Sequence, residues 1–403
     1  MEKSQANLNP EQKKAVTHKD GPLLIVAGAG TGKTTVITHK IAWLIEQKLA
    51  KSNEILALTF TDKASEEMEE RVDKLLPYGY IDLWVSTFHS FCERILKTHG
   101  LDIGLSTDFK LLSATDQWLL IRQNLDKFDL DYYRPLGNPT KFIHALINHF
   151  SRLKDEEIWP DEYLEYAEKI GLDSGVREDE GGAKSKKKLD ISKKEKDEVD
   201  EISRIHEVAN AYHTYQQLLH DSNYLDFGDL INYTLKLLRT RKNLLSQFQR
   251  QFKYILVDEF QDTNWAQYEL VKLLSAEHKN ITVVGDDDQA IYKFRGASLS
   301  NILQFEKDFP TCEKVVLTKN YRSSQKILDL SYKFIQLNNP NRLEVALKNS
   351  ISKKLESQVK DKPEIKLLHA KTAEDEVKSV INKIIELKNT SLVANEGAQT
   401  FGR

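Results

Sequence analysis

Lys33 and Thr34 close a small-residue run, Ala27, Gly28, Ala29, Gly30, Thr31 and Gly32, and Thr35 stands directly behind them. An apolar stretch, Leu23–Ala27, leads into the run and helix-compatible sequence follows it. This arrangement suits the phosphates of a nucleoside triphosphate. Backbone N–H groups of the loop wrap the phosphate chain, the lysine places its charge on the β and γ phosphates, and the threonine hydroxyl holds magnesium. Ala27 occupies the first glycine position of the GxxxxGK[ST] pattern, a sterically mild change. A glycine-rich turn of no chemical purpose is the bland alternative, and the flanking strand and helix argue against it.

Such a loop needs a second hold on the metal and a base for water. The segment YILVDEFQD at 254–262 offers both at the end of an apolar run: Asp258 to hold Mg²⁺ through its water shell, and Glu259 to take a proton from the attacking water. A third segment, VVGDDDQAIYKFRGA at 283–297, brings three aspartates and Gln289. The Gln289 amide can bond both a lytic water and a terminal phosphate oxygen, so it can sense the γ phosphate. Tyr292, Phe294 and Arg295 follow, an aromatic and basic interleaving that suits a stacked base beside a backbone phosphate. Phe60 with Lys63, and Phe88 with His89, stand just past two other apolar runs. Either aromatic can stack on a nucleic acid or pack under a sheet. His89 has no partners at metal-ligand spacing, so it is read as a polar contact to a nucleic-acid backbone.

Groups this far apart in the chain meet only if strands carry them to one edge, as open α/β sheets do with their ligands. Apolar strand candidates recur at 23–27, 55–59, 83–87, 254–258, 281–285 and 315–317. Short, fully apolar strands predict a parallel sheet covered on both faces. The gap between Thr87 and Tyr254 exceeds one crossover, and its Leu, Lys, Glu, Gln and Ile recur at helical spacings, which predicts an inserted helical domain. Within it, residues near 171–197 are rich in glycine and lysine and poor in large apolar groups, and a flexible loop is expected. Past Pro340 a strand at 365–370 and an amphipathic helix at 374–387 are expected.

Composition sets outer bounds. The chain of 403 residues is 40% hydrophobic, enough for two or three cores. Its 61 acidic and 58 basic residues nearly cancel, so global charge argues neither for nor against nucleic acid. Two cysteines, Cys92 and Cys312, give no disulfide framework and no zinc cluster. With no membrane-length apolar run and no secretory signal, a soluble cytoplasmic protein is expected.

Taken in order, LNPEQ (8–12), AGAGTGKT, TFTDKAS, STFHSF, LDFGDLI (225–231), VDEFQD, GDDDQAIYKFRGA and LTKNYRSS (317–324) resemble the motif series of the UvrD/Rep/PcrA family of superfamily one DNA helicases over roughly residues 7–390. The resemblance implies an α/β fold: a RecA-like P-loop NTPase sheet from 1–92 and 221–320, an inserted helical domain at 93–220, and an incomplete second RecA-like region at 321–403. It implies ATP and Mg²⁺, with Gln12 reading the adenine edge, Tyr321 stacking on the base and Arg322 reaching the γ phosphate. It also implies that Phe60 and Phe294 stack on single-stranded DNA. The implied activity is ATP-driven 3′ to 5′ movement on single strands or single/double-strand junctions. The family pattern usually has serine and glycine where Ala290 and Lys293 stand here, and no VAxTRA-like segment follows. An N-terminal portion is therefore expected, whether a fragment, a split subunit or a truncated reading frame, with a separate C-terminal helicase half as a candidate partner. A small-molecule phosphotransferase and a non-catalytic ATP- and DNA-binding module are the rival readings.

Overall fold

All five residues of β1 (Leu23–Ala27) are buried, and the pleat sends them alternately into two cores. Leu24 and Val26 join one apolar cluster, whereas Leu23, Ile25 and Ala27 join the other. The next sheet strand, β2 (Ile55–Thr59), divides the same way, with Leu56 and Leu58 opposite Ile55 and Ala57. A strand apolar on both sides needs a helical layer on each face. The computed structural model describes residues 7–76, 82–173, 193–290, 299–340, 342–346, 351–360 and 365–399.

On one face α2 (Lys33–Glu46) supplies Val36, Ile37, Ile41 and Leu44, joined by α1 (Pro10–Thr17) and α3 (Asp62–Leu75). After β3 (Trp84–Thr87), α4 (Phe88–His99) begins the opposite layer with Phe91, Cys92, Ile95 and Leu96. A pair of two-residue strands, β4 (Lys110–Leu111) and β5 (Tyr224–Leu225), closes the base of a helical insertion built from α5 (Ala114–Gln123), α6 (Ile143–Asp155), α7 (Pro160–Asp173) and α8 (Lys193–Asp221). The insertion has its own core, including Phe150, Tyr212 and Tyr215. Helices cover both ends of the expected flexible loop, to Asp173 and from Lys193; residues 174–192 lie outside the described residues.

The chain returns through α9 (Phe227–Thr240) and α10 (Lys242–Gln251) to β6 (Tyr254–Val257), then α11 (Trp265–Ser275), β7 (Ile281–Gly285), α12 (Leu299–Asp308) and β8 (Glu313–Leu317). The six long strands pair in the order β3-β2-β6-β7-β1-β8, and every pairing is parallel. This order decides what can meet. β1 lies beside β7, and β7 beside β6, so the C-terminal ends of the three strands predicted to carry chemistry are neighbours.

Past the sheet, β9 (Lys319–Asn320) pairs with β10 (Glu356–Ser357) on either side of α13 (Gln325–Ile335) and the single-turn α14 (Leu343–Ala346). The strand expected at 365–370 is absent: these residues are irregular, and Leu367 is 94% exposed. An extended segment needs a neighbouring strand to take its N–H and C=O groups, and none among the described residues pairs with it. α15 (Ala373–Gln399) contains the expected helix and exposes Val377, Ile381 and Ile384.

Candidate functional site

The loop between β1 and α2 turns on two glycines in the left-handed region, Gly30 at φ 74° and Gly32 at φ 92°. A side chain at Gly30 would strike Arg322 and Asn320 within 2.8 Å, and one at Gly32 would strike Gln12 at 2.8 Å, so close packing also demands glycine. Thr31 braces the turn by donating its hydroxyl to the Gly28 carbonyl at 2.8 Å. Gly32 caps α2, whose first N–H groups, at Lys33, Thr34 and Thr35, have no partner within the helix and sit at its positive end.

The ends of β6 and β7 converge on this loop. Lys33 Nζ donates to Glu259 Oε2 at 2.6 Å and to Gln289 Oε1 at 3.4 Å, while the Thr34 hydroxyl donates to Asp258 Oδ2 at 3.2 Å. Lys33 is almost enclosed, with 9% of its side chain exposed, so its charge is met by protein and not by water. Glu259 is a non-glycine residue at φ 50°, a strained conformation that aims its carboxylate back at Lys33. Burial first, then the neighbouring Glu259 charge, pushes Asp258 up to about 6 against the pull of Lys33. Asp262 is raised to about 6 by the same two causes. Several carboxyl groups therefore share one lysine, a surplus of oxygen ligands that suits a divalent cation. The glycine cradle, the Thr34 and Asp258 oxygens 3.2 Å apart, and the Lys33 ammonium fit a triphosphate with magnesium.

Three residues outside the predicted set hold this geometry. Gln261 donates to Glu259 Oε2 at 2.7 Å and accepts from the Asp286 N–H at 3.0 Å, tying the ends of β6 and β7. Asn320 donates to the Ala29 carbonyl at 2.6 Å and accepts from the N–H groups of Arg322 and Ser323, which docks the NYRSS turn on the loop. Asn9 donates to the Tyr321 hydroxyl at 2.9 Å and caps α1 together with Gln12. All three stood inside segments singled out in the sequence, but their roles depend on which strands are neighbours.

Gln12 lies beside the loop with its amide already used: Nε2 donates to the Thr31 carbonyl at 2.9 Å and Oε1 accepts from the Asn9 N–H. Tyr321 is 49% exposed next to the loop, and Arg322 is exposed behind it. The aromatic residues separate. Phe60 and His89 line a cleft of about 590 Å³ with Asn148, Arg152 and Phe227, between the sheet edge and α6 and α9. His89 meets Phe227 edge to face at 5.4 Å, and burial lowers its pKa against the pull of Asp62. Lys63 is exposed on α3. Of the two alternatives for Phe88 the structure shows packing: as the first residue of α4 it is 2% exposed and joins the core under the sheet, and it also lines the cleft that Phe60 and His89 share. Tyr292, Phe294 and Arg295 lie outside the described residues.

Residues 8–310 match the UvrD/REP helicase N-terminal domain, and residues 315–398 match the UvrD-like helicase C-terminal domain. Sequence of that second domain therefore lies in this chain, and no separate half is evident from the match. The chain is 41% identical over 338 residues to a Bacillus subtilis protein named ATP-dependent DNA helicase PcrA, covering 84% of this chain and 40% of the relative. Proteins of the same name from Staphylococcus aureus (strain Mu50) and Leuconostoc citreum are 39% and 36% identical over 83% and 96% of this chain, and 41% and 45% of their own lengths. The chain thus spans about two fifths of the length of the curated relatives it matches. Among the described residues, no helix is long and apolar enough to cross a membrane.

Proposed function

Because the chain belongs to the UvrD/REP helicase family, we propose that it carries the nucleotide-binding part of an ATP-dependent DNA helicase that moves along single-stranded DNA in the family's 3′ to 5′ direction. One observation carries the nucleotide reading: Lys33, Thr34, Asp258, Glu259 and Gln289, drawn from three strand ends, meet within hydrogen-bond distance. A cytoplasmic setting fits a chain whose two cysteines are free thiols.

The Glu259 carboxylate sits where a phosphate oxygen would meet Lys33. Triphosphate binding therefore means exchanging one anion for another on the same ammonium. That exchange releases Glu259, which then stands as the free base that takes a proton from water. Gln289, already facing Lys33, orients that water, and Arg322 neutralises charge that grows on the γ phosphate. Magnesium, held by Thr34 and Asp258, would offset the phosphate charge. Tyr321 and Gln12 hold the base, the latter by exchanging its bond to the loop for one to the adenine edge. Movement of the 321–403 region against the sheet would carry Tyr321 and Arg322 toward or away from the phosphate loop and so couple hydrolysis to motion along the strand.

The test is ATP hydrolysis by this chain with and without a thymidine oligonucleotide, alongside calorimetric titration with MgATP. The proposal expects MgATP binding and faster turnover when the oligonucleotide is added. Turnover that ignores DNA while phosphate passes to a small hydroxyl acceptor would replace it with a phosphotransferase reading.

A further inference from the structure

Three consecutive aspartates, Asp286, Asp287 and Asp288, follow β7, and one carboxylate oxygen of each lies within 4.8 Å of the others. Such crowding repels itself unless a cation fills it. The chain supplies one of its own. Lys353 Nζ lies 2.6 Å from Asp286 Oδ1, 2.5 Å from Asp287 Oδ1 and 2.7 Å from Asp288 Oδ2, one donor for each carboxylate. Its side chain is 4% exposed. Around it, Arg342 grips Asp288 with Nε at 2.8 Å and Nη2 at 2.7 Å, and the Leu343 N–H donates to Asp287 at 2.7 Å. Burial works against the Lys353 charge, but the three carboxylates outweigh it and hold its pKa above the ordinary lysine value.

Asp286 is the junction between this cluster and the phosphate site. Its Oδ1 meets Lys353, while its Oδ2 accepts from Gln289 Nε2 at 2.6 Å. The other end of the same amide, Gln289 Oε1, faces Lys33 at 3.4 Å. The Asp286 N–H is held by Gln261, which also holds Glu259. One carboxylate thus sets the direction of the Gln289 amide, and Lys353 holds that carboxylate. Lys353 comes from the region that follows the sheet, within the second matched domain.

We infer that Lys353 is a positioning residue for Gln289: by binding the Asp286–Asp287–Asp288 turn it fixes the amide toward Lys33, and it makes the sensor depend on how the region after the sheet is docked. This rests on the reading that Lys33 and its neighbours handle a nucleoside triphosphate. Lys353 touches no reacting atom; it acts through Asp286.

Two measurements on the whole chain test it. The turn closes through the Gln289 N–H to the Asp286 carbonyl at 2.9 Å and the Ala290 N–H to the Asp287 carbonyl at 3.2 Å. In Lys353→Met, hydrogen exchange at these two amides should quicken by about tenfold or more while the β7 amides change little. Single-turnover hydrolysis of MgATP should fall about tenfold, with affinity within about threefold, and Lys353→Met combined with Gln289→Ala should be no slower than Gln289→Ala alone. Lys353→Arg, which keeps the charge, should restore part of the rate. Unchanged exchange at the turn, or losses that multiply in the double variant, would overturn the inference. If Lys353→Met does not fold, Lys353→Met with Asp287→Asn removes one buried negative charge with the positive one, and the same criteria apply. If the unaltered chain neither binds nor hydrolyses MgATP, the nucleotide reading fails and the exchange result alone decides whether Lys353 holds the turn.

Discussion

Lys33 carries most of the chemistry at the scale of single residues, and its present partners say what its loss would do. It gives one short bond to a carboxylate and one longer bond to an amide, both of which phosphate oxygens can replace. A charge-assisted hydrogen bond contributes about 1.5–3 kcal/mol, so losing the equivalent of one in Lys33→Ala should weaken MgATP binding roughly 10–150-fold by calorimetry. Glu259→Gln should behave differently. It keeps the shape and a hydrogen-bond acceptor for Lys33, so binding should persist while single-turnover hydrolysis slows about 10²–10⁴-fold, as expected when a general base is lost. An unchanged rate would remove Glu259 from that role. These residues were legible in the sequence because their types and local spacing carry the chemistry: glycines then Lys-Thr, and Asp-Glu after four apolar residues. Gln261 was not, although it stands inside the same segment. Its task is to join Glu259 to the backbone of Asp286, and nothing in local spacing says that β6 and β7 are neighbours.

Two buried lysines decide how the elements are fastened. Lys154 on α6 lies 2.7 Å from Asp226 and 2.8 Å from Asp229 at the start of α9, and no more than 8% of any of the three side chains is exposed. Gly228 belongs to this joint, since a side chain there would come within 2.7 Å of Lys154. Lys154→Met would leave two carboxylates buried without a cation. It should cost about 3–5 kcal/mol in urea unfolding, the usual penalty for breaking one side of a buried pair. Lys40 on α2 has the opposite character. It donates to the Ala15 and His18 carbonyls at the end of α1, and desolvation lowers its pKa from 10.5 to about 7 although Glu313 opposes the shift. Between those two values the unfolded chain holds a proton that the folded chain has released, so folded stability from this group rises with pH across that window and is least below it. The difference in stability between the native chain and Lys40→Met should therefore move in the native chain's favour from pH 7.5 to 9.5, by up to about 1.4 kcal/mol per pH unit. Equal slopes for the two proteins would contradict the assignment. Strands and helices were legible where both faces of a segment are buried, as in β1 and β2. The strand expected at 365–370 failed because an apolar run becomes a strand only beside another strand, a condition its own residues do not carry.

At the scale of the whole molecule, two separate surfaces meet at one sheet edge: the phosphate loop after β1, and the cleft past β2 and β3 that runs under α6 and α9. The division into a sheet and a helical insertion could be read from the long gap between apolar strands. The cleft between them could not, because its walls come from Phe60, Arg152 and Phe227, which no local pattern connects. If the cleft carries single-stranded DNA, Phe60 is the residue to alter. It is half-buried, stands just past the end of β2 and lines the cleft. Phe88, just past β3, lines the same cleft but is 2% exposed and belongs to the core, and it serves as the internal comparison. Phe60→Ala should weaken binding of a thymidine oligonucleotide by ~1–3 kcal/mol, the range for one stacked base, with the melting temperature nearly unchanged. Phe88→Ala should instead lower the melting temperature, since removing a core phenylalanine costs about 3–5 kcal/mol. The two variants separate the roles because stacking on DNA is read by titration and core packing by unfolding. Equal oligonucleotide titrations for Phe60→Ala and the native chain would move the DNA path out of this cleft, while leaving the phosphate site after β1 untouched.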